Sequence, residues 1–298
     1  MNLNTPLTVC ALVCGTKGAN FLEDTIEFLQ PTMVYTYRQK GEGSDYLERI
    51  NSLSQRYGFQ LEMKNRPSFQ ELKGYDLCFV VGWQFLLPTT ENLVIFHDSP
   101  LPRYRGFSPT VSQLLNEEPC LGVTALLPSE EPDQGPILAQ SLVDISYPIT
   151  LQEALTALRS AYSACAKEVF DCVANGNPLV GQEQDETQAT YSIWRNEEDM
   201  WVDWEQDAQY ITRFVNALGP PYSGAKTACY GRTIILNRVE PGPEMTFEQR
   251  TPGKFWSIRD NIPLVICGRG TLRILQAQES SGEPVNFTVL RARLSKYR

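Results

Sequence analysis

The single histidine of the chain, His97, is the side chain best suited to move a proton. It follows the apolar run Leu93–Phe96, which predicts a buried strand, and it precedes a loop rich in proline and glycine. Imidazole changes charge near neutral pH, so it can act as an acid or a base. The end of a strand in an α/β sheet is also where ligands bind. His97 alone leaves a structural role equally open, and the composition of its loop favours a functional one.

A second candidate, Asp133, lies in the loop Ser129–Pro136, which follows the predicted strand Gly122–Leu127. Prolines and a glycine fix a turn there, and an acidic turn of this kind is usually solvated. Asp133 becomes a candidate for chemistry if its strand end lies beside that of His97. A carboxylate and an imidazole could then work as a pair.

Other chemistries fit the sequence less well. One histidine and scattered cysteines do not supply a typical zinc shell, so we predict no metal site. No Gly-x-Ser-x-Gly occurs, and Ser99 is expected to line the site without acting as a nucleophile. Gly15-x-x-Gly18 lacks the spacing of a dinucleotide fingerprint and predicts a turn. The aromatic and acidic stretch Tyr191–Trp204 could serve as a sugar or base platform, or simply as an anchor for the preceding linker.

Alternating strands and helices in the first half of the chain must position these loops. Strands are predicted at Leu7–Cys14, Met33–Tyr37, Leu77–Val81, Leu93–Phe96 and Gly122–Leu127. Helices are predicted at Phe21–Leu29, Tyr46–Tyr57, Val111–Asn116 and Thr150–Ala174. The pattern predicts an α/β fold, a Rossmann-like, doubly wound parallel sheet covered on both faces.

The second half of the chain has a different pattern. The stretch Asn175–Thr190 is rich in glycine, glutamine and acids, and predicts a linker. Beyond it we predict one helix and a set of short strands: Gln206–Leu218, then Thr233–Leu236, Leu264–Cys267, Thr271–Ile274 and Phe287–Leu290. These short strands, separated by proline and glycine, predict a small mostly-β domain of the OB type. The predicted domains are residues 1–185 and 190–298.

Charge and cysteine content limit the partners of the protein. The net charge of the 298 residues is −9, of which −11 falls in residues 1–188 and +2 in residues 189–298. Such a balance disfavours high-affinity binding of nucleic acid. Eight cysteines without a C-x-x-C motif, in mostly apolar surroundings, indicate reduced thiols. With neither a signal peptide nor a membrane-spanning run predicted, we expect a cytoplasmic protein.

The loop around His97 resembles the signature of formyltetrahydrofolate-dependent formyltransferases, which include sugar N-formyltransferases and methionyl-tRNA formyltransferases. The likeness is carried by Phe96–Gly106, with the sequence FHDSPLPRYRG. Gly122–Leu138, which contains Asp133, is similar to the second motif of the family at a fitting distance from the first. Asp199–Trp204 and Pro220–Ala225 resemble the start of the family's C-terminal domain.

The resemblance implies transfer of a formyl group from N10-formyltetrahydrofolate to a primary amine. The resemblance implies that His97 transfers a proton and stabilises the oxyanion. It implies that Asp133 orients His97 or takes up the amine proton, and it places Ser99 beside them. A donor placed where negative charge develops lowers the barrier, and a nearby carboxylate favours the imidazolium form. The pterin of the cofactor is expected to bind largely through backbone groups of two segments: Phe85, Leu86 and Leu87, and Ser129, Glu130, Glu131, Pro132 and Asp133.

Two positions depart from the family pattern. The family usually has an asparagine two residues before the histidine, where it helps to hold the oxyanion, and this chain has Ile95. Asp98 stands where small residues are common. We expect another donor to replace the asparagine, from the Asp98–Ser99 backbone, the Ser99 hydroxyl or the Gln84 amide.

The resemblance leaves the acceptor amine to be chosen on charge. We expect a small-molecule substrate, a nucleotide-linked amino sugar, because an acidic catalytic domain suits an RNA acceptor stem poorly. The alternatives are a methionyl-tRNA formyltransferase, a hydrolase that releases formate from the same cofactor, and a non-catalytic folate-binding protein if Ile95 abolishes activity. No membrane partner is expected. The sugar, the nucleotide and the oligomeric state, with a homodimer among the options, stay open.

Overall fold

The computed structural model describes residues 6–39 and 43–296, which form two compact units. The first unit comprises the chain up to Pro109, together with Cys120–Ile145 and Leu155–Ile193. The second comprises Thr110–Pro119, Ser146–Ala154 and the chain from Trp194 onward. The sequence-based boundaries at 185 and 190 stay a prediction.

A seven-stranded sheet forms the centre of the first unit. Its strands are β1 (Val9–Val13), β2 (Met33–Thr36), β3 (Gln60–Met63), β4 (Leu77–Val81), β5 (Leu93–His97), and, after the short β6 (Arg105–Gly106), β7 (Cys120–Leu126) and β8 (Ile137–Asp144). They lie in the order β3-β2-β1-β4-β5-β7-β8. The order reverses between β1 and β4, so the sheet has the switch point at which ligands bind in such folds. The predicted α/β fold is confirmed.

The sheet is mixed, with two antiparallel strands at one edge. The five strands from β3 to β5 run parallel, whereas β7 is antiparallel to both β5 and β8. The predicted parallel sheet is therefore confirmed for these five strands, and β7 and β8 extend it with antiparallel pairing at one edge. Strand β8 was not predicted, because its alternately buried and exposed residues directly follow a proline-rich turn. The β7–β8 hairpin places the Asp133 loop, which connects the two strands, at the end of β7.

Helices and loops cover both faces of this sheet. The first unit contains α1 (Gly15–Leu29), α2 (Asp45–Tyr57), α3 (Phe69–Lys73) and most of α5 (Leu151–Ala174), whereas α4 (Pro109–Leu115) and the start of α5 are assigned to the second unit. On one face Phe21 of α1 packs against Phe79, Phe96 and Tyr162. On the other face Leu72 of α3 belongs to an apolar cluster with residues of β1, β2, β4 and β5. Strands β1 and β4 are buried throughout, as their apolar sequences predict.

The turn between β1 and α1 depends on its glycines. Gly15 has a φ of 68°, a left-handed conformation that glycine adopts without steric cost. A Cβ at Gly18 would lie 2.9 Å from the carbonyl carbon of Val13, so glycine allows α1 to approach β1 closely. Gly15 thus serves the predicted turn, whereas Gly18 lies within α1 and serves packing, which was not predicted.

The second unit contains an antiparallel sheet. The order of its strands is β10-β11-β14-β13-β12, and their bounds are β10 (Ala225–Cys229), β11 (Arg232–Pro241), β12 (Phe255–Arg259), β13 (Ile262–Ile266) and β14 (Thr271–Glu279). Helix α6 (Ala208–Ala217) precedes these strands, whereas the short strand β9 (Tyr191–Ser192) belongs to the first unit. Near the end of the chain, Ser295 pairs with Ala228 and Arg293 with Lys254, beside the two edge strands. The predicted mostly-β domain is confirmed.

Two local predictions were wrong. Phe287–Leu290 forms no strand; Phe287 is buried and packs on Phe255 with ring centroids 5.4 Å apart, so its apolar character reflects anchoring. The predicted linker Asn175–Thr190 is bonded into the first unit from residue 182 onward, where Gln182 pairs with Ile137 through two 2.8 Å hydrogen bonds.

Candidate active site

The structure brings His97 and Asp133 together. His97 is the last residue of β5, and its Nδ1 lies 3.4 Å from Asp133 Oδ1. Its Nε2 lies 2.8 Å from the carbonyl oxygen of Tyr104. The condition that the sequence analysis set for a role of Asp133, that its loop faces His97, is met.

These two contacts identify the reactive nitrogen of His97. A carbonyl oxygen only accepts hydrogen bonds, so Nε2 carries a proton and donates it to Tyr104. Nδ1 is then the nitrogen that gains or loses a proton, and it faces the carboxylate of Asp133. The doubly protonated ring donates toward both acceptors, whereas the neutral ring offers a lone pair at Nδ1. The pair can therefore accept a proton from a bound group or donate one to it.

The Asp133 loop has a constrained backbone. Asp133 itself has a φ of 61°, which a residue with a Cβ rarely adopts. Its Oδ2 accepts a 2.9 Å hydrogen bond from the backbone N–H of Gly106, while Oδ1 faces His97. A Cβ at Gly135 would lie 1.8 Å from the carbonyl oxygen of Leu127, so the turn requires glycine there. Strain held by surrounding bonds is common at functional sites.

Ser99 supports the loop from below. It is fully buried, and its hydroxyl donates to the carbonyl oxygen of Arg103 over 2.7 Å. The hydroxyl of Thr124 on β7 donates to Ser99 O over 2.7 Å and accepts from Leu101 N and Gln140 Nε2. The Ser99 proton is thus engaged in the loop, which argues against Ser99 as the substitute oxyanion donor. In this geometry the Ser99 side chain is bonded within the loop.

Asp98 points away from Asp133 and is buried beside Lys17 and Tyr162. Its carboxylate accepts hydrogen bonds from the Lys17 ammonium of α1 and the Tyr162 hydroxyl of α5. Burial opposes its ionisation, but Lys17, Tyr162 and His97 together lower the pKa of Asp98 below its ordinary value. Burial and the neighbouring Asp98 raise the pKa of Tyr162, which keeps that hydroxyl protonated. The sequence analysis missed Lys17 and Tyr162, because no local pattern links them to residue 98.

Ile95 lies on the same face of β5 as His97, since alternate residues of a strand share a face. It packs against the apolar cluster that includes Leu93 and Val80. An asparagine amide there would stand beside His97, whereas the isoleucine side chain offers no hydrogen-bond donor.

The first predicted cofactor segment leaves its backbone open. Backbone groups of Phe85, Leu86 and Leu87 bond to none of the other described residues, and Leu86 is 90% exposed. Phe85 packs edge-on to Tyr37 with ring centroids 5.0 Å apart. Beside it, the buried Nε1 of Trp83 lacks a hydrogen-bond partner within the described part of the chain. Free backbone groups and an unused indole donor fit a ring with polar edges such as a pterin.

The second predicted cofactor segment is exposed at its tip. Ser129, Glu130, Glu131 and Pro132 are all solvent-accessible, and the Ser129 hydroxyl donates to Glu131 O over 2.6 Å. Its last residue, Asp133, lies 3.4 Å from His97. The segment therefore reaches His97 at one end. Its binding to the pterin stays a prediction.

The aromatic and acidic stretch has two parts. Tyr191 and Ile193 are about two-thirds exposed in the first unit. In the second unit, Trp204 is buried and its Nε1 donates to Thr227 Oγ1 over 3.0 Å, which is the anchoring role. Trp201 and Tyr210 line a cavity of about 370 Å³.

Residues 6–39 and 43–296 contain neither a cluster of metal ligands nor a membrane-spanning helix. Within those ranges, no group of three or more His, Cys, Asp or Glu side chains is arranged so that it could hold a metal ion. No helix there is long and apolar enough to span a bilayer.

Similar solved structures share the fold. An N-formyltransferase from Helicobacter canadensis, crystallised with folinic acid and dTDP-3-aminofucose, matches with a TM-score of 0.64 at 13% identity, over 90% of this chain and 99% of that one. A variant of HypX from Aquifex aeolicus matches with a TM-score of 0.61 at 18% identity, over 95% of this chain and 48% of that one.

Sequence comparison is more specific. A methionyl-tRNA formyltransferase from Methylococcus capsulatus is 30% identical over 212 residues, which are 68% of this chain and 66% of that protein. The family model described as formyl transferase matches residues 13–169, and the model of the formyl transferase C-terminal domain matches residues 195–293. The first match includes both His97 and Asp133. With this geometry and these matches, the chain belongs to the formyl transferase family, whose members are enzymes that use formyltetrahydrofolate.

Proposed function

We propose that this protein transfers the formyl group of N10-formyltetrahydrofolate to the primary amine of a nucleotide-linked amino sugar. The observation that carries the transfer step is the pairing of His97 with Asp133, 3.4 Å apart, at the end of a sheet strand. A proton donor and a proton acceptor that share one site are what acyl transfer to an amine requires.

The roles of the two residues follow from their contacts. The bound cofactor supplies the formyl carbon that the amine attacks. His97 is held at Nε2 by Tyr104, so protonated Nδ1 can donate to the formyl oxygen as negative charge develops there. Asp133 would balance the charge of the imidazolium, and its Oδ1 could take the proton that the amine must lose. As the bond between the formyl carbon and N10 breaks, that proton would pass through His97 to N10 of the departing tetrahydrofolate. Because Gly106 holds Oδ2, the carboxylate does not need to reorganise during this step.

The cofactor would lie along the open loop that precedes β5. Phe85, Leu86 and Leu87 would offer their backbone groups to the pterin, and Trp83 Nε1 would add a further donor. Burial of this loop beneath the cofactor would also exclude water from His97. Exclusion of water favours transfer to an amine over hydrolysis.

The choice of a sugar amine rests on charge. Residues 1–188 carry a net charge of −11, and an RNA backbone would be repelled by such a surface unless basic residues cluster on one face. The similar fold of an enzyme crystallised with a dTDP-linked amino sugar supports the same choice.

A methionyl-tRNA formyltransferase is the second candidate. The names of the curated relatives favour it, with identities of 27–30%. The second unit, with its net charge of +2 from residue 189 onward, would then have to carry the RNA contacts.

A substrate screen tests the proposal. Purified protein, N10-formyltetrahydrofolate and a panel of nucleotide-linked amino sugars would be incubated, and the products analysed by mass spectrometry for one added formyl group. The same assay with initiator methionyl-tRNA as the acceptor tests for a methionyl-tRNA formyltransferase. The assay without any amine tests for a hydrolase. The His97→Asn protein serves as the inactive control.

We expect formylation of at least one sugar and no amine-independent loss of cofactor. Formylation of methionyl-tRNA alone would overturn the sugar assignment. Amine-independent release of formate would indicate a hydrolase, and the absence of turnover with every acceptor would leave a folate-binding protein.

A further inference from the structure

Residues 181–192, here called the clamp segment, bind both loops of the candidate active site. On the His97 side, Thr190 O accepts from Arg105 N over 2.9 Å, and Ser192 O accepts from Phe107 N over 3.1 Å. On the Asp133 side, Gln182 and Ile137 exchange two backbone hydrogen bonds of 2.8 Å. A segment whose composition predicted a linker therefore joins the two catalytic loops.

Gln184 makes the central contact of this segment. Its Nε2 donates to Asp133 O over 2.9 Å and to Gly135 O over 2.8 Å. Its Oε1 accepts from Arg105 Nη2 over 2.8 Å and from Nε over 3.1 Å. Two carbonyl oxygens on one side and a guanidinium on the other allow a single orientation of the amide. One side chain thus links the backbone of the Asp133 loop to the residue next to Gly106.

Arg105 provides a rigid base for this link. Its side chain is 1% exposed, and its two terminal nitrogens donate to the two carboxylate oxygens of Glu186 over 2.8 and 2.6 Å. A bidentate pair of this kind fixes the plane of the guanidinium. Glu186 also belongs to the clamp segment, as does Gln184, so these two partners of Arg105 come from the same stretch of chain.

The link closes a ring of contacts around the Asp133 carboxylate. Gln184 holds the backbone carbonyl of Asp133, and Gly106, the neighbour of Arg105, holds its Oδ2. The left-handed φ of 61° at Asp133 has to be maintained by its surroundings. Loss of the Gln184 amide would release the Asp133 backbone and let Oδ1 move relative to His97.

We propose that Gln184 is a positioning residue, which holds the Asp133 carboxylate against His97 by tying the Asp133 loop to Arg105. The inference rests on the proposed function, because it takes Asp133 as a catalytic residue. A misplacement of about 1 Å can cost about 100-fold in rate. We therefore expect removal of the amide to lower kcat about 10- to 100-fold and to leave the KM for formyltetrahydrofolate little changed.

Three variants test this role in the full-length protein. Gln184→Ala removes all four side-chain hydrogen bonds. Gln184→Glu keeps the size and the acceptor for Arg105 but loses both donors, and it serves if the alanine variant does not fold. Gln188→Ala is the matched control, because Gln188 is exposed and its side chain bonds to Asp185 alone among the described residues.

The readouts are kcat, KM and the NMR signals of the imidazole ring. Since His97 is the only histidine, its ring signals report the position of Asp133 without any need for activity. We expect both Gln184 variants to lower kcat and shift these signals, with the control unchanged. Wild-type kcat in Gln184→Ala, or a lowered kcat with unshifted ring signals, would overturn the positioning role.

The proposed function and the positioning role of Gln184 can be refuted independently of each other. If Asp133→Asn keeps wild-type turnover, Asp133 is not catalytic and the proposed mechanism is wrong. The ring signals of His97 in Gln184→Ala would still show whether the clamp segment holds the two side chains together.

Discussion

Two carboxylates flank His97, and their surroundings separate their roles. Asp133 presents one oxygen to Nδ1 and is part-exposed. Asp98, the next residue in the chain, is buried and bonded to Lys17 and Tyr162. In the proposed reaction, therefore, Asp133 is the carboxylate of the two that is open to a substrate amine and to the proton that the amine loses.

Removal of either member of the catalytic pair should abolish most turnover. We expect His97→Asn and Asp133→Asn each to lower kcat at least ~100-fold, because positioned acid–base groups contribute on that scale. Asp144→Asn, an exposed carboxylate at the end of β8, is the control for loss of a charge. Formylation rates and circular dichroism of the three variants check this. A folded His97 or Asp133 variant with near-normal turnover would refute its assigned role.

The missing asparagine can be tested by restoring it. If another donor already serves the oxyanion, Ile95→Asn should leave kcat equal or lower, and it should destabilise the fold. An amide placed against the apolar cluster costs about 1–3 kcal/mol if unpaired. Ile95→Val is the matched control, since it changes packing and adds no polar group. Kinetics and urea unfolding provide the measurement, and a tenfold gain in kcat would mean that the oxyanion site is vacant.

The Asp98–Lys17 pair gives a pH-dependent prediction. Because the folded state lowers the pKa of Asp98, the pair stabilises the fold above the unfolded carboxyl pKa, and this contribution is lost as the pH falls through the folded pKa. Lys17→Met should therefore destabilise the protein most near neutral pH and progressively less in acid. Lys17 is 36% exposed, so we expect about 1–3 kcal/mol, below the 3–5 kcal/mol of a fully buried pair.

Urea unfolding across the acid range measures this difference. Lys167→Met, which removes an exposed pair with Asp171, should change stability by less than about 1 kcal/mol. A loss in Lys17→Met that does not diminish toward low pH would contradict the assignment.

At the scale of elements, the end of β7 supports the loop that follows β5. The Thr124 hydroxyl on β7 serves three groups: Ser99 O, Leu101 N and Gln140 Nε2. Thr124→Val has the same shape and removes one hydrogen bond from each of these groups, although Leu101 N still donates to Ser99 O and Gln140 Nε2 to Leu101 O. We expect a loss of about 1–3 kcal/mol in unfolding free energy and a lower kcat, because the Tyr104 carbonyl that holds His97 belongs to this loop.

Thr124→Ser keeps the hydroxyl and is the control for that experiment. Thermal unfolding and steady-state kinetics of both variants supply the measurement. Equal stability of Thr124→Val and wild type would mean that water or another group replaces the hydroxyl.

Elements that are buried on both sides could be predicted from the sequence, and elements at edges could not. β4 was predicted with its observed bounds, because a continuous apolar run signals a central strand. β3 and β12 lie at sheet edges with mixed exposure, so their patterns resemble loops. For the site, His97 and Asp133 were found because their loops carry proline and glycine. Gln184 was missed, since a contact across 51 positions leaves no local trace.

At the scale of the molecule, the net charge gives a prediction about the class of substrate that can bind. With a net charge of −9, we expect no saturable binding of initiator tRNA at physiological salt. Fluorescence anisotropy with labelled tRNA measures this, and a nucleotide-linked sugar that competes with a labelled nucleotide provides the positive control. Micromolar or tighter tRNA binding would contradict the sugar assignment.

If the clamp segment positions Asp133 as proposed, it also sets when the protein becomes active during its synthesis. Thr190 bonds to Tyr104 across 86 positions, and Gln184 to Asp133 across 51. A chain that emerges from the ribosome can complete its first five parallel strands long before these residues appear. The two catalytic loops then stay untied until the chain past residue 190 has been made. A nascent fragment that already binds folate would therefore be inert toward amines, and competence would arrive in one late step.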